Sequence, residues 1–231
     1  MIDRRFVRLW IALGLALGLS TGTFAQSSRP ALPLTESQQK KADEIAQVLD
    51  RLFGQLHKAE NEQSGKTVEQ AIWQLWMQSG SPTADALLQQ ATRAMSANSH
   101  PAALRILDTI VEIKPDFAEA WNKRATVHYL ERNFEKSLAD IDKVLDLEPR
   151  HFGALSGLGM IRREQGDDKG ALKAFRRALV IHPHQPNAKR AVKELETEFE
   201  QTISLPRRSN CFNFSSSGLT RGSIPKRNPW Q

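Results

Sequence analysis

Few residues in this chain have both the type and the spacing for chemistry, and each candidate set falls short of a site. The 231-residue sequence holds one cysteine, Cys211, and six histidines. One thiol cannot close an intrachain disulfide, so Cys211 reads as a free thiol, with pairing between chains as the alternative. His182-Pro183-His184 comes nearest to metal-ligand spacing, but no cysteine or third histidine stands close in sequence to complete a set. Gly153, Gly157 and Gly159 resemble a phosphate-cradling loop in composition only: no strand precedes them, and they fall inside a stretch of helical period. Trp73, Trp76 and Trp121 lie at helical positions and read as core rather than as ligand platforms. The expectation is a protein with no catalytic residues, no metal and no cofactor.

The elements that would have to carry any site are laid out in register. Pro115, Pro149 and Pro183 close three successive units at a spacing of 34 residues. Four residues into each unit stand Leu87, Trp121 and Leu155; four further on stand Ala91, Ala125 and Gly159, all small. The second half of each unit opens on Ala103, Ser137 and Ala171, again small. Bulky Leu107, Ile141 and Phe175 follow, then Ile110, Val144 and Ala178. Apolar residues at i, i+3, i+4 and i+7 mark two helices per unit, as in Leu155, Leu158 and Ile161, then Leu172, Phe175 and Leu179. Small residues let the two helices approach where they cross, the bulky one fills the space toward the next unit, and proline ends the second helix. One such pair cannot bury its apolar face alone, whereas stacked pairs can. The expected fold is therefore all-α, a right-handed helical solenoid with a concave and a convex face.

This lattice resembles the tetratricopeptide repeat (TPR), W-x2-L-G-x2-Y, then A-x3-F, then P. The third unit matches it best, through Leu155, Leu158, Gly159, Ala171, Phe175, Ala178 and Pro183, with Arg162 in place of the usual aromatic. In the second unit Trp121 and Ala125 fit, but Arg124 and His128 replace the leucine and tyrosine. The first keeps Ala91, Ala103 and Pro115, with Asn98 where a turn glycine is common. The resemblance implies protein–protein binding in a concave groove lined by the first helix of each unit. On that lattice Leu88, Thr92 and Met95 face the groove from the first unit, Asn122, Lys123, Thr126 and Tyr129 from the second, and Ser156, Met160 and Arg163 from the third. A surface of this mixed character suits an extended peptide or a partner helix. Some family members grip a C-terminal carboxylate with a Lys/Asn/Arg clamp; Thr126 stands where its asparagine is expected, so that activity is not carried over.

Charge points the same way. The net charge of +6 and pI near 9.6 would fit a nucleic-acid or membrane-surface protein. Residues 36–203, however, carry 23 Lys/Arg against 25 Asp/Glu, and the excess lies at the two ends. A basic face for nucleic acid would have to lie on the folded body, so no nucleic-acid partner is expected.

Residues 1–25 read as a cleavable export signal: Arg4, Arg5 and Arg8, an apolar run from Leu9 to Leu19, then Thr23-Phe24-Ala25 with cleavage expected after Ala25. Eleven residues of helix span about 16 Å against about 30 Å of hydrocarbon, too short for a stable membrane span. Residues 26–34 form a linker with Pro30 and Pro33. Residues 35–82 form a helix pair, a degenerate leading repeat or a cap over the first repeat. Its first helix is capped by Thr35 and Gln38, a break falls at Asn61 to Lys66 with Gly65, and its second helix runs from Thr67 to about Gln78. Three repeats occupy residues 83–185, as 84–117, 118–151 and 152–185. A capping helix spans 186–203, with one apolar and one acidic side, and 204–231 is a basic tail without acidic residues that reads as disordered. Together these features predict an exported scaffold, periplasmic or secreted, that holds a peptide or helix of another protein. The alternative is a structural protein that self-associates through its N-terminal apolar helices into a homo-oligomer.

Overall fold

The computed structural model describes residues 36–204. The expected export signal (1–25), the expected linker (26–34), Thr35 and the expected tail from 205 to 231 lie outside the described residues. Within them the chain runs α1 (Glu36–His57), α2 (Glu62–Trp76), α3 (Pro82–Ser96), α4 (His100–Ile113), α5 (Ala118–Leu130), α6 (Phe134–Leu147), α7 (Phe152–Glu164), α8 (Asp168–Ile181) and α9 (Pro186–Ser204). No strand occurs among the described residues. The three repeats are the pairs α3–α4, α5–α6 and α7–α8, stacked as an all-α solenoid, with α9 packed on α8.

Each turn inside a repeat is set by local chemistry. Asn98, Arg132 and Gly166, 34 residues apart, all adopt positive φ, of 53°, 58° and 77°. That left-handed conformation is free for glycine, tolerated by asparagine and costly for arginine. Beyond it, the side chains of Asn133 and Asp167 accept hydrogen bonds from Lys136 N and Gly170 N and so start α6 and α8. The small positions work as close crossings. A Cβ built on Gly159 would stand 2.7 Å from the Phe175 ring, and Ser137 Oγ donates a 2.8 Å hydrogen bond to Ala125 O across the α5–α6 crossing.

Two expectations are corrected. The break at Asn61 to Lys66 is shorter than the glycine signalled, and α2 begins at Glu62. Asn61 caps it: its Oδ1 accepts from Ser64 N at 2.9 Å while Ser64 Oγ accepts from Asn61 N at 3.3 Å, a reciprocal capping box. Gly65 is therefore a helical residue. Its missing side chain lets α2 press on the third repeat, because a Cβ there would meet His182 and His184 at 3.3 Å.

The second correction concerns what the N-terminal helix pair covers. A cap would share the core of α3 and α4. Instead Phe53, Leu56, Ile72 and Trp76 join one buried cluster with Phe152, Leu155, Phe175, Ala178 and Leu195, the core of the third repeat and α9. The first repeat has its own core of Ala84, Leu88, Ala91, Leu107, Ile110 and Phe117, to which α2 adds no more than Met77 at its end. The chain thus folds its first two helices back across its last repeat.

Two glycine substitutions separate packing from backbone effects. Gly159→Ala forces a methyl into the Phe175 ring and is expected to lower stability by about 1–2 kcal/mol despite alanine's better helix propensity. Gly54→Ala, in open space on α1, is expected to raise stability by about 0.5–1 kcal/mol. Urea denaturation of the two variants beside the parent chain measures both.

Candidate functional site

The face expected to bind a partner divides by depth. Leu88, Asn122 and Ser156 occupy equivalent places in the three units, and all three are buried. Leu88 lies wholly in the first repeat's core. Asn122 Nδ2 donates to Glu119 Oε2 at 3.0 Å, and Ser156 Oγ donates to Gln185 Oε1 at 3.1 Å. Four residues on, Thr126 is buried with its hydroxyl donating to Asn122 O at 2.9 Å, whereas Thr92 and Met160 are half-buried. One further turn along, Met95, Tyr129 and Arg163 are all half-exposed. Leu88, Asn122, Thr126 and Ser156 therefore cannot be offered to a ligand, because all four are buried, with Asn122 and Thr126 bonded inside α5 itself and Ser156 to Gln185. Lys123 remains partly exposed but stands 3.2 Å from Glu119 Oε1. Arg163 is held by α9, at 2.7 Å from Glu194 Oε2 and 3.0 Å from Glu198 Oε1.

The crevice behind this face, lined by Asn122, Thr126, Tyr129, Ser137 and Ile161 among others, has a volume of about 10 Å³, room for one water and no more. What is left open is a shallow surface of Thr92, Met95, Lys123, Tyr129 and Met160. The Tyr129 hydroxyl makes no hydrogen bond within the described residues; its ring meets Phe134 at 5.9 Å.

The first turn of α7 is closed by α2. Glu119, Asn122, Thr126 and Tyr129 recur along one side of α5, and Gly153, Ser156, Met160 and Arg163 along one side of α7, by helical periodicity. Trp73 fills the space in front of Gly153, where a Cβ would meet its ring at 2.8 Å. Trp76 stacks on His151, centroids 4.1 Å apart and planes 8° off parallel. Around them Trp73, Phe152 and His182 complete an aromatic cluster with edge contacts of 5.3–5.5 Å. Sequence periodicity identified the tryptophans as core, but which core they join is a long-range fact with no local signal.

Two carboxylates sit in this seam, Glu119 wholly buried and Glu69 half-buried. Burial pushes the Glu119 carboxyl up, but the Lys123 ammonium and the His151 hydrogen bond, at 3.2 Å, outweigh it and hold the pKa below the usual carboxylate value. Glu69 on α2 behaves alike: burial raises it, and hydrogen bonds from His182 at 3.3 Å and Trp73 at 3.2 Å bring it below. His182 and His184, the nearest approach to a ligand pair in the sequence, are thus spent elsewhere, His184 donating to Ala59 O at 2.7 Å. Trp121 is half-exposed, its Nε1 donating to Pro115 O at 2.9 Å under the Arg124 guanidinium. Among the described residues no helix is long and apolar enough to cross a membrane.

Fold and face together define a short helical-repeat solenoid with a shallow side-chain surface and an intramolecular helix pair docked at one end of it. The chain belongs to the tetratricopeptide repeat family, which it matches over residues 88–146 and 131–186. A TPR repeat-containing protein of Rhizobium etli is 38% identical over 192 residues, covering 83% of this chain and 94% of that protein. The small glutamine-rich tetratricopeptide repeat-containing protein 2 of Saccharomyces cerevisiae is 24% identical over 149 residues, 62% of this chain and 43% of that one. The crystal structure of the Sgt2 TPR domain from Aspergillus fumigatus shares the fold, with a TM-score of 0.51 and 19% identity over 60% of this chain and 92% of that domain.

A carboxylate whose folded-state pKa is depressed stabilises the fold above its unfolded value and loses that contribution as pH falls through the folded one. Glu69 and Glu119 therefore give a stability that is complete above the ordinary glutamate range, near pH 4.3, and declines below it. Glu119→Gln is expected to cost about 1–3 kcal/mol at pH 7, where it strips Lys123 and His151 of their partner, and to flatten the acid decline. Urea midpoints measured from pH 7 down to pH 3 test both.

Proposed function

We propose that the chain is an exported, non-catalytic scaffold that holds a segment of another envelope protein against the half-exposed face of α3, α5 and α7. The observation that carries this reading is the row of Met95, Tyr129 and Met160 with Thr92 and Lys123. It combines flexible thioethers, an aromatic ring with a free hydroxyl and a cation on a rigid helical frame. A preformed face of this kind binds an extended peptide or a helix with little ordering cost to itself. Repeat solenoids use such surfaces for binding, and tyrosine is among the residues that dominate interface energies. Export rests on the character of residues 1–25.

Self-association through the N-terminal apolar helices is the weaker reading. The apolar stripe of α1 and α2 is buried against the third repeat of the same chain, so assembly through it requires that pair to leave its seat first.

A photo-crosslinking phenylalanine at position 129 is expected to capture a specific envelope protein in cells, while the same group at exposed Lys173 on α8 captures none. Tyr129→Ala is expected to weaken binding of the captured protein about tenfold or more, in line with loss of an interface tyrosine, with helicity and melting unchanged. Equal capture from both positions, or unaltered affinity in the variant, would move the binding site off this face.

A further inference from the structure

The second helices of the three repeats carry charge unevenly on their outer sides. On α8, Lys169, Lys173, Arg176, Arg177 and Val180 recur at i, i+4, i+7, i+8 and i+11, so they share one side of the helix, and all are exposed. Every charged member of this row is a cation. The same positions on α6 hold Glu135, Ala139, Asp142, Lys143 and Asp146, and on α4 they hold Pro101, Arg105, Asp108, Thr109 and Glu112, again all exposed. In both of those repeats carboxylates outnumber cations. The near balance of charge over residues 36–203 therefore conceals a reversal of sign between the second repeat and the third.

Folding alone does not favour this row. Lys169 and Lys173, and Lys173 and Arg177, are like charges at i and i+4, which weakens a helix. Lys169 also lies in the first turn of α8, where the helix dipole disfavours a cation. Lys169, Lys173 and Arg177 make no ion pair among the described residues, and Arg176 is bonded to Glu196 of α9 at 2.7 Å. That flank of α9 is balanced within itself, because Lys189, Lys193, Glu196 and Glu200 share one side of it. Asp168 precedes the row and is half-buried. At the far end Val180 is 70% exposed, and His57 Nδ1 donates to its carbonyl at 3.1 Å, which brings α1 and its exposed Lys58 to the same place.

The shape of the face selects the kind of partner. The outer side of a solenoid curves away from whatever it touches. A second copy, offering the acidic outer sides of its own α4 and α6, would meet it as one convex surface on another, along a line at most. A fluid sheet of anionic headgroups deforms to meet every cation at once. Lysine and arginine suit it, because their stems lie along the surface while the charges reach out to phosphate. A cluster of roughly four to eight cations on one helix side is the pattern that attracts anionic lipid, and α8 with Lys58 meets it.

We propose that the outer side of α8 is a peripheral membrane contact: Lys169, Lys173, Arg176 and Arg177, with Lys58, hold the third repeat against an anionic phospholipid surface. The contact needs no membrane span and is independent of what the open face of α3, α5 and α7 holds.

Cosedimentation of the full chain with vesicles of phosphatidylglycerol and phosphatidylcholine in equal parts, beside vesicles of phosphatidylcholine alone, tests this. The ratio of the two affinities isolates the contribution of charge from any apolar one. Preference for the anionic vesicles is expected, and it is expected to shrink at about 0.3 M salt, where screening shortens the reach of each charge. The triple variant Lys169→Glu, Lys173→Glu, Arg177→Glu is expected to lower the ratio about a hundredfold, since each cation at such a surface contributes about fivefold. Its counterpart Arg105→Glu, Lys136→Glu, Lys143→Glu changes the net charge equally on α4 and α6 and is expected to keep the ratio within about fivefold of the parent. All six positions are exposed, and circular dichroism checks that both variants fold. Lys169→Gln, Lys173→Gln, Arg177→Gln replaces the first if it does not, with loss of the ratio again expected. A ratio of one in the parent chain would overturn the proposal. So would an unchanged ratio in the α8 variant, which would give the contact to basic residues elsewhere in the chain, or equal loss in both variants, which would leave net charge as the cause. Retention of the parent chain on immobilised polyglutamate with no preference among vesicles would assign the row to an acidic protein instead.

Discussion

The imidazole of His151 is the contact on which the arrangement depends. Its Nδ1 starts α7, its Nε2–H reaches across to Glu119 at the start of α5, and its face is the floor on which Trp76 of α2 lies. One planar side chain thus joins the second repeat, the third repeat and the N-terminal helix pair. Aliphatic side chains could pack in the same space but could not cap a helix and bond a carboxylate from opposite edges of one ring. The buried carboxylate would be costly alone, and it is tolerable because Lys123, Asn122 and His151 surround it.

The repeat lattice tolerates polar exchange where the exchanges are paired. Arg124 and His128 stand where the second unit would carry apolar and aromatic residues. Arg124 is satisfied by two bonds to Asp140, of 2.9 and 2.7 Å, and one to Asp108 of 2.9 Å. It thereby ties α5 to α6 within the unit and to α4 of the unit before. Burial holds the His128 pKa below its usual value, with the neighbouring Arg124 adding to the effect and Asp140 opposing it. Arg132 keeps the turn of the second unit in a left-handed conformation that its neighbours fill with asparagine and glycine. The second repeat is therefore held by ion pairs, at the cost of a strained turn at Arg132, where the third is held by a glycine against a phenylalanine.

The same burial gradient shapes what the protein can present. The side chains nearest the beginnings of the first helices are buried, and those one to two turns further on, Thr126 excepted, are partly open. A partner therefore meets a short, shallow row rather than a long groove. The end of that row toward Gly153 is covered by the chain's own tryptophans.

The repeat number, the phase of every helix from α3 to α9 and the absence of strands among the described residues follow from residues at 34-residue spacing, because helix period, small crossings and proline stops are local rules. The sequence also determined that Trp73 and Trp76 are core and that the folded body carries no basic excess. The tertiary structure alone decided that α1 and α2 pack on the third repeat, because Glu69 meets His182 and Asp50 meets Arg150 across 113 and 100 residues. It also decided which groove positions stay open. Periodicity places Leu88, Asn122 and Ser156 on the same helix side as Met95, Tyr129 and Arg163, but only the stacking of neighbouring helices says that the first row is buried and the second is not. A helix's own pattern records which side faces the core, and burial along that side depends on what distant segments bring to it.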